Sequence, residues 1–421
     1  MSKPSAPEAA GGTRGELARS GVALAAATFA AGILGYAYIL ILTRALGPTQ
    51  YGVLGALLGL SVIFTVAYTA LQLEATRVVA VSPQAPRAWL HRRAALVSLA
   101  TGGVILLAAP LIVSVLRLPS YLPALALAAM MLPQTFLGVQ LGILLGLGRS
   151  VAFGVLLVVS SVSRVLAAML AAAAGGGPTY VLTASTVTAL LVLGLGAWQL
   201  RASPATAVDP PDVIADRGWS GMARAGLSAG ALLVLLNADL LAARAVLSDH
   251  ESGWYAFLTV FGRVTFWGTN FIALWVFPHE AARGSAARAR SYALGAVALL
   301  GVLACGVAWA FGEPITRALA GQEYVAAARY APLFAVAGSL MAVIQLATYV
   351  DVARARHLLS VVVWAGSAAL AAAIWWLAPR SIPGAIWSAV AVLAVVALAG
   401  LVSMRTPAPA PPPRPPVERA L

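Results

Sequence analysis

Apolar runs of about twenty residues recur along nearly the whole chain, separated by short polar segments, and this spacing predicts membrane-spanning helices. A hydrocarbon layer of about 30 Å needs that length per helix, because no water is present to satisfy an open backbone. Runs of this kind fall near 20–43, 50–73, 94–114, 121–147, 151–174, 178–199, 223–247, 254–277, 291–311, 329–350, 358–378 and 383–403. The fourth carries Pro133 and Gln134 and reads either as one kinked helix or as two pieces. The expected fold class is therefore an all-α integral membrane protein of about twelve transmembrane helices, with eleven or thirteen as the neighbouring counts.

Sizeable polar interruptions occur near 74–93 and 200–222, and the second holds Pro204, Pro210 and Pro211 with Asp209, Asp212 and Asp216. It divides the spans six and six. The expected organisation is an N-terminal cytoplasmic segment 1–19, a six-helix lobe 20–199, a cytoplasmic linker 200–222, a second six-helix lobe 223–403 and a Pro-rich cytoplasmic tail 404–421. A weak internal repeat supports the division. "TRALGPTQYG" from Thr43 to Gly52 follows the first span, and "ARAVLSDHESGWY" from Ala243 to Tyr255 follows the seventh. Ala18-Arg19-Ser20-Gly21 and Ala223-Arg224-Ala225-Gly226 open the two halves in the same way, as in parallel repeats related by an axis along the membrane normal. The first apolar run exceeds a signal-peptide core, so it is expected to remain as an anchor.

Composition narrows the functional classes. Of 421 residues, 61% are hydrophobic and 10% charged, against roughly a quarter charged in a soluble domain. The net charge of +13 is spread over many short loops, a distribution that suits topology and anionic headgroups rather than nucleic acid. With the N-terminus inside, most basic residues fall on the cytoplasmic side, leaving Arg44, Arg117, Arg244, Arg317, Arg329 and Arg380 outside. Both termini are then expected in the cytoplasm. Cys305 is the single cysteine, so no disulfide framework or cysteine-based metal site is expected. Asp249, His250 and Glu251 form a contiguous polar turn rather than a metal site, and no metal or cofactor is expected. Walker, GxSxG and HExxH patterns are absent, which argues against an enzyme.

The stretch "ILILTRALGPTQYGVLGALLGLSVIF" resembles the first helical hairpin of bacterial polysaccharide flippases of the multidrug/oligosaccharidyl-lipid/polysaccharide (MOP) superfamily. "LGILLGLGRSVAFGVLLVVSSVSRVL" and "LLNADLLAARAVLSDHESGWYAF" agree, the latter through Asn237, Asp239, Gly253 and Tyr255. The resemblance implies a MATE-like fold in a bacterial cytoplasmic membrane. It also implies flipping of a polyprenyl-diphosphate-linked oligosaccharide to the outer leaflet by alternating access, with other polysaccharide-assembly proteins as partners.

Charges within spans are the remaining chemical signal, since an Arg or Asp at a helix centre costs roughly 2.5–3.5 kcal/mol on insertion scales. Asp239 and Arg263 lie at similar depth on either side of the turn near 248–253, where an ion pair is expected, serving either structure or transport. Arg164 has no acidic residue in the neighbouring spans, and Gln134 reaches a similar depth. A guanidinium facing a cavity suits a diphosphate, which it grips with two parallel bonds; helix-to-helix bonding and a lipid-facing snorkel are the alternatives. Arg77 and Arg44 mark the inner and outer mouths of such a route, or simply anchor helix ends. Gln140, Asn270 and Gln345 are candidates for sugar hydroxyls or for interhelical hydrogen bonds. A MATE-type multidrug or cation antiporter is the rival reading, and a non-transporting membrane assembly protein the third.

Overall fold

The structure, a computed structural model, describes residues 14–84, 87–201, 230–281, 286–354, 356, 358–377 and 379–406. Side chains at 14–20, 270–271, 273–281, 286–287 and 289 lie outside that description, as do most of the expected linker and tail and the first thirteen residues. The chain divides into two compact units, Met1–Gly226 and Leu227–Leu421.

The first unit opens with α1, Arg14–Val81, a 68-residue helix broken at Gly47. Gly47 has φ 63° and ψ 174°, a conformation side-chain-bearing residues avoid, and Pro48 brings no N–H to the helical ladder. The "LGP" sequence thus turns one apolar stretch into two spans. The helices α2, Arg87–Leu107, and α3, Ala109–Val115, make the third span, interrupted beside Pro110. Next come α4, Leu122–Gly146, α5, Ser150–Ala173, and α6, Pro178–Arg201. Pro133 lies inside an unbroken α4, which settles the fourth span as one helix.

In the second unit, α7 covers 230–246 and α8 Asp249–Ala281. Then follow α9, Ala286–Ala320, a 3-10 segment Gln322–Tyr330, α10, Ala331–Ala353, α11, Leu358–Ala372, a π turn Ala373–Leu377, and α12, Ile382–Arg405. Counting both arms of α1 and taking α2 with α3, each unit has six spans.

The fourth span of each unit is its core. α4 packs against α1, α2 and α6, while α10 packs against α8, α9 and α12. Small residues set these approaches, because without a hydrophobic drive between helices in lipid, close backbone packing carries association. Gly138, Gly142 and Gly146, one turn apart on α4, lie against Tyr68, Gln72 with Ala75, and Thr76 with Val79 of α1. The Thr76 hydroxyl also donates to the Gly142 carbonyl at 3.1 Å. In the second unit Gly262 of α8 meets Gly338 of α10, where an added Cβ on either would strike the other helix's backbone. Gly338→Ala is expected to cost about 1–3 kcal/mol as overpacking. Gly306→Ala, at an open position, should leave stability unchanged or raised. Thermal unfolding in detergent checks the pair, and equal midpoints for the two variants would contradict this packing.

Two differences from the sequence expectation concern charge. The run near 74–93 is not a polar loop: α1 continues helically to Val81 and α2 begins at Arg87. Glu74 and Arg93 consequently lie inside helices and form a buried ion pair, with side chains 9% and 8% exposed. The Arg93 guanidinium also sits over the Trp89 ring, 4.1 Å from its centroid. Arg244, expected as an outer flank, is instead buried, donating to the Ser252 hydroxyl at 2.8 Å and pairing with Asp249 at 3.1 Å. It fastens the end of α7 to the first turn of α8.

Candidate functional site

In the first unit the polar centre is Arg164, near the middle of α5. The face of α5 around it is rich in serine: Ser160, Ser161 and Ser163 are buried beside it. Two return their hydroxyls to α5, Ser161 donating to the Leu157 carbonyl at 3.0 Å and Ser163 to the Ser160 carbonyl at 2.8 Å. Arg164 itself is exposed, and its Nη2 donates to the Ser161 hydroxyl at 3.4 Å, a long bond for a charged donor. No carboxylate pairs with Arg164 among the described residues.

Two tyrosines from α1 complete the cluster. The first arm of α1 runs along α5, with Ala27 against Gly154, and carries Tyr38; the second runs along α4, with Tyr68 against Gly138. Both Tyr38 and Tyr68 lie within electrostatic range of the Arg164 charge, and Tyr38 stands beside Ser185 of α6. Gln134 is half-buried at the middle of α4, one turn from Gly138, the residue that Tyr68 of α1 packs against. A guanidinium, two phenols and a serine are thus supplied by α1, α5 and α6. Such a group can take an anion through charge-assisted hydrogen bonds. The tyrosines were not singled out from sequence; their signal is their place in the α1 arms, which only helix pairing reveals.

Of the other expected contacts, Gln140 serves helix packing. Gln140 is buried and its Nε2 donates to the Leu193 carbonyl at 3.1 Å, in a space left by Gly196, so it joins α4 to α6. Arg77 is exposed near the end of α1, and Arg44 is exposed on α1 just before the Gly47 break. Gln345 is buried in α10 of the second unit. Asn270 lies on α8, its side chain outside the described residues.

The second unit holds a separate polar network. Arg263 Nη2 donates to Asn237 Oδ1 at 2.9 Å, and the Tyr255 hydroxyl donates to Asp239 Oδ2 at 3.1 Å. Arg263 and Asp239 attract each other electrostatically, so the residues expected to pair sit in a four-membered set with Asn237 and Tyr255. Tyr255 is held edge-on against Phe334 of α10, their centroids 4.8 Å apart. Asp239 Oδ1 is buried without a hydrogen-bond partner among the described residues. The double-mutant cycle of Asp239→Asn and Arg263→Gln is expected to show a coupling of about 1 kcal/mol or more, read from unfolding midpoints. Strict additivity would separate the two residues energetically.

No protein-family model and no curated protein matches the chain. Solved structures do. The chain is similar to an inward-facing multidrug resistance MATE transporter of the MOP superfamily at 13% identity, covering 89% of this chain and 94% of that one with a TM-score of 0.74. It is similar to the lipid II flippase MurJ in an inward closed conformation at 11% identity, covering 91% and 88% with a TM-score of 0.64. A MOP superfamily transporter from Pyrococcus furiosus, whose reversed binding-pocket polarity suggests a different function, matches at 14% identity over 93% and 94%, with a TM-score of 0.61. The chain is thus an all-α multi-pass membrane protein with the twelve-helix, two-lobe fold of MATE-type transporters.

Proposed function

We propose that this protein is a membrane transporter that flips a polyprenyl-diphosphate-linked oligosaccharide from the cytoplasmic to the outer leaflet of a bacterial cytoplasmic membrane, by alternating access. The observation that carries the reading is Arg164: a mid-membrane guanidinium, exposed, bonded to Ser161 at 3.4 Å and matched by no carboxylate among the described residues. An unneutralised charge at that depth is costly, and a diphosphate supplies the missing counter-charge in a geometry the planar fork fits. Tyr38 and Tyr68, within electrostatic range of the Arg164 charge, add hydroxyl groups that suit an anionic ligand. The resemblance of the fold to a lipid II flippase is in keeping with this substrate class.

A drug or cation antiporter shares the fold. It calls for carboxylates open to a cation, whereas among the described residues of the spans Glu74 is paired with Arg93, and Asp239 is buried and accepts from Tyr255 through Oδ2. The electrostatic balance therefore favours an anion. Binding of a polyprenyl-diphosphate sugar to the purified protein, measured by native mass spectrometry, tests the choice. Arg164→Ala is expected to weaken it by about tenfold to a hundredfold, the value of a charge-assisted bidentate contact. A cationic dye that binds better than the glycolipid would favour the antiporter.

A further inference from the structure

The last helix of each unit ends under two arginines. At the end of α6, Arg87 Nη1 donates to the Leu200 carbonyl at 2.7 Å and Arg149 Nη1 to the Gln199 carbonyl at 2.9 Å. At the end of α12, Arg290 and Arg354 both donate to the Met404 carbonyl. The sources correspond: Arg87 and Arg290 stand at the start of the third span of their units, Arg149 and Arg354 at the connection from fourth to fifth. This recurrence was not visible in the sequence, where the four arginines share no motif.

A helix C-terminus carries about half a negative charge, less than the two guanidiniums that meet it. Arg87 and Arg149 lie within repulsive range of each other. Arg87 Nη2 is enclosed with no hydrogen-bond partner among the described residues. Beside this end of α6, Trp198 is 65% exposed, and Leu191 and Val187 continue its face at 73% and 53%. An interfacial aromatic above an apolar stripe marks where headgroups give way to acyl chains. We propose that the Arg87–Arg149 pair binds the phosphate of an anionic membrane phospholipid, whose acyl chains lie along the Val187–Leu191–Trp198 face of α6.

The bound phosphate relieves the repulsion between the two arginines and gives Arg87 Nη2 a partner. The site is separate from Arg164 and stands whether or not the proposed substrate is right. The test uses the full chain in nanodiscs of phosphatidylcholine alone or with added phosphatidylglycerol, comparing the natural protein with Arg87→Gln/Arg149→Gln. Phosphatidylglycerol should raise the unfolding temperature of the natural protein, and the double variant should lose most of that increment. Native mass spectrometry should show phosphatidylglycerol retained about thirtyfold less tightly by the variant, from two surface arginines at the usual strength. If the arginines only cap α6, the variant will be less stable in both lipids while keeping the full increment, which overturns the proposal. An equal increment from inorganic phosphate in phosphatidylcholine also overturns it, since a soluble anion then suffices. Should the double variant fail to fold, Arg149→Gln alone in the retention measurement decides: unchanged retention counts against the site.

Discussion

Glu74→Gln is expected to cost about 3–5 kcal/mol, because it removes the counter-charge of the buried Arg93 guanidinium between α1 and α2, where water is scarce. The two side chains are almost fully enclosed, and Trp89 covers the guanidinium from one side without supplying a counter-charge. Breaking such a pair leaves an uncompensated charge; removing it entirely does not, since apolar residues of similar volume often substitute at little cost. Glu74→Leu/Arg93→Leu is therefore expected to recover most of the lost stability, within the limit set by the missing contact to Trp89. The readout is the unfolding midpoint in a mild detergent, with the fraction surviving gel filtration as a second measure. A double variant as unstable as Glu74→Gln would show that the pair does not act as a unit.

This pair also shows where sequence reading reaches its limit. Span positions are legible because the bilayer imposes a length and an apolar composition on each helix, and the Gly47-Pro48 step marks a break through backbone chemistry alone. Glu74, Arg77, Arg87, Arg92 and Arg93 instead raise local polarity enough to mimic a loop. Hydropathy averages over a window and carries no information on pairing. A carboxylate and a guanidinium that neutralise each other across two helices look, residue by residue, like two solvated charges.

Depth was readable, but direction around a helix was not. Counting residues from the turn placed Asp239 and Arg263 at comparable depth, and they do feel each other's charge. The count did not show that Arg263 reaches Asn237, nor that Tyr255 comes to Asp239. Asn237 and Asp239, two residues apart on α7, point to different sides, and only the packing of α8 brings a partner to each. Arg44 and Arg244 teach the same lesson through the repeat. They occupy matching positions in similar sequence, yet Arg244 is buried against Ser252 and Asp249 while Arg44 is exposed. The difference arises downstream: Arg44 is followed by Gly47-Pro48 within a broken helix, Arg244 by a polar turn that offers a carboxylate and a hydroxyl.

At the candidate site, Arg164 was legible because a charge inside an apolar run is conspicuous. Tyr38 and Tyr68 were not, since an aromatic residue in an apolar span is ordinary until two such spans are seen to meet a third. Gln140 drew notice for its polarity, and its bond to the Leu193 carbonyl shows that polarity serving helix packing.

Transport of a labelled polyprenyl-diphosphate oligosaccharide between leaflets of proteoliposomes tests the central claim most directly, comparing the natural protein, Arg164→Lys and Arg164→Ala at matched reconstitution. Flipping is expected in the natural protein, with a fall of at least about tenfold in Arg164→Ala. An intermediate rate is expected in Arg164→Lys, where the charge remains but the fork is lost. Equal flipping by the natural protein and Arg164→Ala, both folded, would contradict the assignment of Arg164 as the diphosphate contact, and the absence of any flipping by the natural protein would contradict the proposed function itself.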